Sequence, residues 1–457
     1  STIDKNIYNA MQDAVSKYGY MLDNWGDAPI EVGNVMMDNA TGRVLGFIGG
    51  RDYQQNQFNH AFDAQRQAGS SIKPMLVYGP AIDEGLMGSE SMVSDYAAKW
   101  RTGENADEPI VNATNKGTNT FMSIRESLEV SSNIAATNIF QDIWEQEGDP
   151  FFSYKNYLSK MNYPEDNSWA YESAPLGVTN VTVLTQTNGF QTLANKGVYQ
   201  EGYVIESIKN NEGEVLYQHE QKPVQVFSEA TASIMNDMMR SVIDEQKTSN
   251  FKSVVSGLDW NLGNADWVGK TGSTNNWSDS WLVVSTPSIT ISSWSGRDDN
   301  KATDSSAGTR TAQYMAYLIN RIYQSDQKVF GVDKKFELSD DVKKIKVSKA
   351  TGTLPGGTVT VDNTRRTNPS DTVTSYWTKG GPKEASFEFG IGGSNANYAD
   401  YWKKIAPSRT TTSTSTNTAT NNGSRSTNKE ENATNNNNNQ KEAEKTEEKK
   451  NEQKEDD

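Results

Sequence analysis

The sequence predicts an α+β domain from three observations: β-prone segments fall near both ends of its first 330 residues, helical patterns fill the stretch between, and an amphipathic helix closes the unit. Such an order joins N- and C-terminal strands in one sheet flanked by helices. The 457 residues allow a large domain with additions. With 34% hydrophobic residues, among them 11 Trp, 19 Tyr and 14 Phe, a substantial core can form.

Residues 1–18 carry Ile3, Ile7, Met11 and Val15 at a spacing of four, which predicts a short amphipathic helix. Residues 1–28 are read as a remnant leading in from a missing upstream domain. Residues 35–38 and 44–48, joined by Asn39-Ala40-Thr41-Gly42, predict a β-hairpin. From 70 to about 192 the pattern is mostly helical, with apolar periodicity over 124–130 and 134–144. Three β-prone segments follow at 266–271, 280–285 and 289–295, separated by Asn275-Asn276-Trp277-Ser278 and Thr286-Pro287. Residues 311–323 place Tyr314, Tyr317, Leu318 and Ile322 near one face, giving the closing helix of a domain that spans 29–330. Short β-prone pieces at 342–347, 358–361 and 386–389 predict a small β-rich appendage over 331–406. Residues 407–457 are Ser/Thr/Asn and then Lys/Glu with almost no apolar side chains, a tail expected to be disordered.

Composition removes several function classes. The absence of Cys excludes thiol catalysis and Cys-based metal sites. Two histidines, His60 and His219, argue against a His-rich metal centre or a Ser-His-Asp triad, so an activated serine would need a lysine as its base. A net charge of −15 argues against nucleic acid as a partner. No apolar run approaches the roughly 20 residues of a membrane span. The first residues lack a signal-peptide pattern, and with no initiator Met an upstream part is expected to have been removed.

Three short motifs occur in order: Ser70-Ser71-Ile72-Lys73, Ser131-Ser132-Asn133 and Lys270-Thr271-Gly272-Ser273. Ser-x-x-Lys recurs at 249–252, 325–328 and 426–429, and Ser-x-Asn at 415–417, so neither carries weight alone. The first copy differs because Gly69 precedes it and Ile72, Met75, Leu76 and Tyr78 follow on a helical pattern in which Pro74 suits a first turn. That puts Ser70 at a helix N-terminus, where oriented N–H groups favour negative charge on an attacked carbonyl oxygen. Ser70 and Lys73, three apart, share a helix face. In a water-poor cleft beside a second cation, for which Lys270 is the candidate, Lys73 would be neutral and able to take the serine proton. Lys-Thr-Gly occurs once, on a predicted strand, where Gly272 would let a substrate backbone approach closely.

Together these residues resemble the transpeptidase domain of class A high-molecular-weight penicillin-binding proteins of the Gram-positive streptococcal type. The resemblance runs from about residue 1 to about residue 300. It includes 39–53, 58–73 with Asn59, Arg66 and Gly69, 123–138, 176–199, and Trp294-Ser295-Gly296-Arg297-Asp298. Ala68 stands where many relatives have Pro.

The resemblance implies the penicillin-binding protein/serine β-lactamase fold, with Ser70 as the acylated nucleophile and Lys73 as its base. Ser131 would relay a proton to the leaving amine, Asn133 would hold Lys73 and the substrate amide, and Lys270 would bias the proton network. Backbone N–H groups of Ser70 and Ser273 would form the oxyanion hole. Thr271 and Ser273 would bind the substrate carboxylate beside Gly272, with Asn275 lining the cleft. The implied reaction cross-links peptidoglycan stem peptides: Ser70 attacks a D-Ala-D-Ala donor and an amine acceptor resolves the acyl-enzyme. β-Lactam antibiotics would acylate the same serine. No metal or cofactor is required. Cell-wall synthesis proteins are expected partners, at the outer face of a Gram-positive cytoplasmic membrane, with anchor and glycosyltransferase domain on a missing N-terminal segment. Three alternatives stay open on the sequence: a D,D-carboxypeptidase or β-lactamase, a β-lactam sensor acylated once, and a wall-associated structural protein.

Overall fold

The structure, a computed structural model, describes residues 1–24, 29–113 and 117–406. Its main sheet has five strands, β1 (Glu31–Asp38), β2 (Val44–Ile48), β3 (Val268–Ser273), β4 (Asp279–Ser285) and β5 (Ile289–Gly296). They lie in the order β3-β4-β5-β1-β2, and all neighbours are antiparallel. N- and C-terminal segments meet where β1 pairs with β5, from Glu31 opposite Gly296 to Asp38 opposite Ile289.

Side chains alternate across this sheet, so each strand feeds two apolar layers. Val32, Met36, Leu282, Val284 and Ile291 pack with α1 (Lys5–Tyr18). Val35, Met37, Trp281, Val283 and Trp294 pack on the opposite side with α2 (Asn133–Glu147), α3 (Val183–Ala194) and α4 (Glu229–Glu245). The closing helix, α5 (Ala307–Ser325), joins α1 on the first side through Met315, Leu318, Ile319 and Ile322. Asp4 caps α1 by accepting from the N–H groups of Asn6 and Ile7, and Ile7, Met11 and Val15 are buried. The helix read from sequence as a lead-in is thus built into the core.

Two expectations are corrected. The stretch 70–192 is less helical than its pattern predicts, because the first helical run ends at Asp83 and Gly85 takes a left-handed φ of +72°. Between there and Ile124 the chain forms short pairs instead, Met92–Ser94 with Phe121–Ser123 and Ala98–Lys99 with Pro109–Ile110. Residues 386–389 form no strand, since Phe387 and Phe389 pack on Tyr398 and Trp402 of α6 (Asn395–Ile405), a helix the sequence reading missed.

The rest of 331–406 is β-rich, with Lys343–Ser348 paired to Thr372–Trp377 and Thr358–Val361 paired to Thr364–Thr367. Its apolar cluster is shared with Met92, Tyr96 and Phe121. The tail expected from Pro407 lies outside the described residues, as do Trp25 to Ala28 of the N-terminal segment. Among the described residues no helix is long and apolar enough to cross a membrane.

Candidate active site

Ser70 is the second residue of a tight 3₁₀ turn, Gly69–Ile72, that opens a continuous helical run through Pro74–Tyr78 and Gly79–Asp83. Ile72, Met75, Leu76, Val77 and Tyr78 anchor it in the core. The Lys73 N–H donates to the Ser70 carbonyl, so the two candidate catalytic residues sit one turn apart. Ser70 itself is half-buried.

Two glycines fit this turn against the sheet. Gly69 has a φ of +56°, and a β-carbon there would lie 2.6 Å from the Ser273 carbonyl oxygen. A β-carbon at Gly272 would lie 2.6 Å from the Ala68 carbonyl oxygen and 2.9 Å from the Ser71 nitrogen. The side of Gly272 that a β-carbon would occupy is thus taken by the protein's own nucleophile turn. The contact sets the backbones of Ser70 and Ser273 side by side at the end of β3, the edge strand of the sheet.

Lys73 is fully buried and its Nζ donates to the carbonyls of Ser131 (2.9 Å) and Ser132 (3.1 Å) and to Asn133 Oδ1 (2.9 Å). Burial holds its pKa well below the ordinary lysine value, the Lys270 charge pushes the same way, and Asp95 opposes both. Lys270, also fully buried, donates to Ser131 Oγ at 2.8 Å and to the Thr271 carbonyl at 3.0 Å, and burial lowers its pKa to about 7.

Ser131 bridges the two amines, its carbonyl taking Lys73 and its hydroxyl Lys270. It does so from a left-handed φ of +57°, an unfavourable conformation for a residue with a β-carbon that turns both oxygens toward the lysines. Ser132 then caps α2 by accepting from the Ala135 N–H. The Asn133 amide nitrogen donates to the Val111 carbonyl at 2.8 Å.

All three motifs thus converge, with Thr271 half-buried and Ser273 exposed at the strand end. Asn275 lies farther along, exposed, in the β3–β4 turn. There Asn276 and Trp277 are both left-handed, with φ of 58° and 55°. Trp277 occupies a position where such turns ordinarily carry Gly.

Sequence reasoning missed three residues that shape the site. Asp95 and Asn112 sit behind the second motif, where Asn112 Oδ1 accepts from the N–H groups of Asn133 (2.8 Å) and Ile134 (3.2 Å). Gly177 has a φ of +73° and supports the nucleophile turn by accepting from the Gly69 N–H at 3.2 Å. Each acts through the fold from a loop without a chemical motif of its own.

The lysines carry a consequence for stability. Both release protons more readily when folded than when unfolded, where lysine titrates near 10.4. Between about pH 7 and that value the unfolded chain binds more protons, so stability rises with pH. Urea unfolding is expected to show a gain of about 2 kcal/mol from Lys270 between about pH 7 and about pH 9, with Lys73 adding to it in the same direction. Lys270→Met should remove much of that slope; an unchanged slope would show that Lys270 titrates like a free lysine.

Comparison with known proteins points to one family. Residues 32–290 match the penicillin-binding protein transpeptidase domain family. Penicillin-binding protein 4 of Bacillus subtilis is 29% identical over 275 residues, covering 59% of this chain and 40% of that protein. Penicillin-binding protein 2D of the same organism is 29% identical over 320 residues, covering 67% and 42%. The chain therefore spans about two-fifths of the length of these relatives. The crystal structure of penicillin-binding protein 1A from Haemophilus influenzae shares the fold, with a TM-score of 0.64, 21% identity, and 79% of this chain and 55% of that one covered. So does PonA1 from Mycobacterium tuberculosis in complex with penicillin V, with a TM-score of 0.56, 20% identity, and 72% and 85% covered.

Proposed function

The chain belongs to the penicillin-binding protein transpeptidase family, and from that premise we propose that it is a serine-type D-Ala-D-Ala transpeptidase that cross-links peptidoglycan stem peptides and is acylated by β-lactams on Ser70. The observation that carries this is the pair of buried lysines joined through Ser131, one of them a single turn from Ser70. Neutral Lys73 takes the Ser70 proton as Oγ attacks the penultimate D-Ala carbonyl. The N–H groups of Ser70 and Ser273 receive the oxyanion. A proton then passes through Ser131 to the departing D-Ala amine, and an acceptor amine resolves the acyl-enzyme. Asn133 holds Lys73 and the substrate amide, Lys270 biases the network, Thr271 and Ser273 hold the carboxylate beside Gly272, and Asn275 lines the cleft.

Hydrolysis by a β-lactamase route needs a carboxylate free to activate water. Asp95, the carboxylate whose charge acts on Lys73, has both oxygens occupied by two donors each. That supports resolution by an amine and a long-lived penicilloyl adduct.

The reading extends to a class A protein of the Gram-positive streptococcal type, acting with other cell-wall synthesis proteins at the outer face of the cytoplasmic membrane. Relatives named penicillin-binding protein 1A from Clostridium tetani and Clostridium perfringens support the class A part. Residues 29–330 are taken as the catalytic unit and 331–406 as an addition packed on it.

The test is intact-protein mass after incubation with a fluorescent penicillin, for the wild type and Ser70→Ala. A stable adduct mapped to Ser70 and lost in the variant is expected. Rapid decay of the adduct with drug hydrolysis would favour a β-lactamase. No adduct on folded wild-type protein would overturn the assignment.

A further inference from the structure

Asp95 follows the short strand Met92–Ser94 and is fully buried. Its Oδ1 accepts from Ser132 Oγ at 2.6 Å and Asn112 Nδ2 at 2.9 Å, and its Oδ2 from the Thr118 N–H and Oγ1, both at 2.7 Å. All four partners are donors, an arrangement suited to an ionised carboxylate. Two of them build the second motif. Ser132 starts α2 and supplies a carbonyl to Lys73, while Asn112 holds the N–H groups of Asn133 and Ile134. The acceptors around Lys73 therefore hang, one residue removed, on this carboxylate.

The strand that leads into it is held from two sides. Ser94 N–H donates to the Ile391 carbonyl and Ile391 N–H to the Met92 carbonyl, each at 2.9 Å. Asn138 Nδ2, from α2, donates to the Ser94 carbonyl at 3.0 Å. The C-terminal region, which had no role on the sequence, thus buttresses the segment that presents Asp95.

We propose that Asp95 is a positioning residue of the acylation reaction: it fixes Ser132 and Asn112, hence the acceptors that orient Lys73, and its negative charge offsets that of Lys270 at the Lys73 amine. The inference rests on the reading of Ser70 and Lys73 as nucleophile and base. The charged groups acting on Lys73 are Lys270 from β3, which disfavours the ammonium form, and Asp95, which favours it. Without the Asp95 charge the neutral amine persists to lower pH.

The experiment is the second-order rate of acylation by a fluorescent penicillin as a function of pH, for wild type, Asp95→Asn, Asp95→Glu and Ser132→Ala. Asp95→Asn is expected to slow acylation about 10-fold at the optimum and to move the acid limb at least about half a unit toward lower pH. Ser132→Ala removes the hydroxyl that donates to Asp95 and caps α2 at the Ala135 N–H but keeps the charge, so its rate should fall evenly with the limb unmoved. Asp95→Glu should likewise keep the wild-type limb at a reduced rate. An Asp95→Asn protein that unfolds cooperatively yet keeps the wild-type limb would overturn the proposal. Should the Asn variant fail to fold, a Glu variant whose limb moves to lower pH would overturn it, and an unmoved limb would support it. Failure of the parent reading looks different, since wild type itself would then form no Ser70 adduct.

Discussion

Lys73→Ala is expected to slow Ser70 acylation by about 10³-fold, and Lys73→Arg to be nearly as slow. The alanine variant removes the group one turn from Ser70 that can take its proton. Arginine keeps the positive charge and a set of donors for the carbonyls of Ser131 and Ser132 and for Asn133 Oδ1. It cannot be deprotonated in a protein, so it cannot act as a base. A residue that only held the second motif together would be rescued in part by arginine; a base would not. The check is the rate of adduct formation with a fluorescent penicillin, on protein shown to be folded by cooperative unfolding. Activity in Lys73→Arg within about 10-fold of wild type would move the base role elsewhere. The pH dependence follows from the same burial. Lys73 loses its proton well below the ordinary lysine range, which gives the acid limb, and Lys270 loses its charge at about 7, which sets where electrostatic support declines. Because the amines are coupled through Ser131, the two limbs describe the pair.

The parts of this site legible in the sequence are those whose chemistry is local. Ser70 and Lys73 share a helix turn, so their spacing announces that they lie one turn apart. The pairing of β1 with β5 was foreseeable in outline because strand-forming segments bracketed the helices and needed a common sheet. Asp95 illustrates what was hidden. In sequence it is one acidic residue in a loop, and its function depends on Ser132 and Asn112 reaching it from two other segments. The strand expected at 386–389 failed for a related reason: alternating Phe387 and Phe389 look the same whether they face a sheet or, as here, an aromatic cluster built on α6. Gly272 was recognised, but one of its close neighbours was hidden, because the sequence does not reveal that the Ser70 turn lies against β3.

Gly177→Ala is expected to destabilise the fold by about 2–4 kcal/mol and to slow acylation about 100-fold, although residue 177 has no part in the chemistry. A β-carbon there would lie 2.0 Å from the Gly69 carbonyl oxygen and 2.3 Å from its nitrogen, and both atoms are backbone. The turn has little room to retreat, since on its other side the β-carbon position of Gly69 is only 2.6 Å from the Ser273 carbonyl oxygen. A methyl group at 177 must therefore shift the residue preceding the nucleophile, and a displacement of about 1 Å can cost about 10² in rate. Part of the penalty is conformational, because the φ of +73° is left-handed and costs an alanine about 1–2 kcal/mol. Gly148 separates that part from the clash. It has a φ of +68° at the end of α2 and nothing within 4 Å of its β-carbon position. Gly148→Ala should thus lose only the conformational portion and acylate at the wild-type rate. Equal losses in the two variants, by denaturant unfolding and by acylation rate, would show that the nucleophile turn does not depend on the backbone at 177. A selective loss of acylation in Gly177→Ala would place the geometry of Ser70 under the control of a loop more than a hundred residues away.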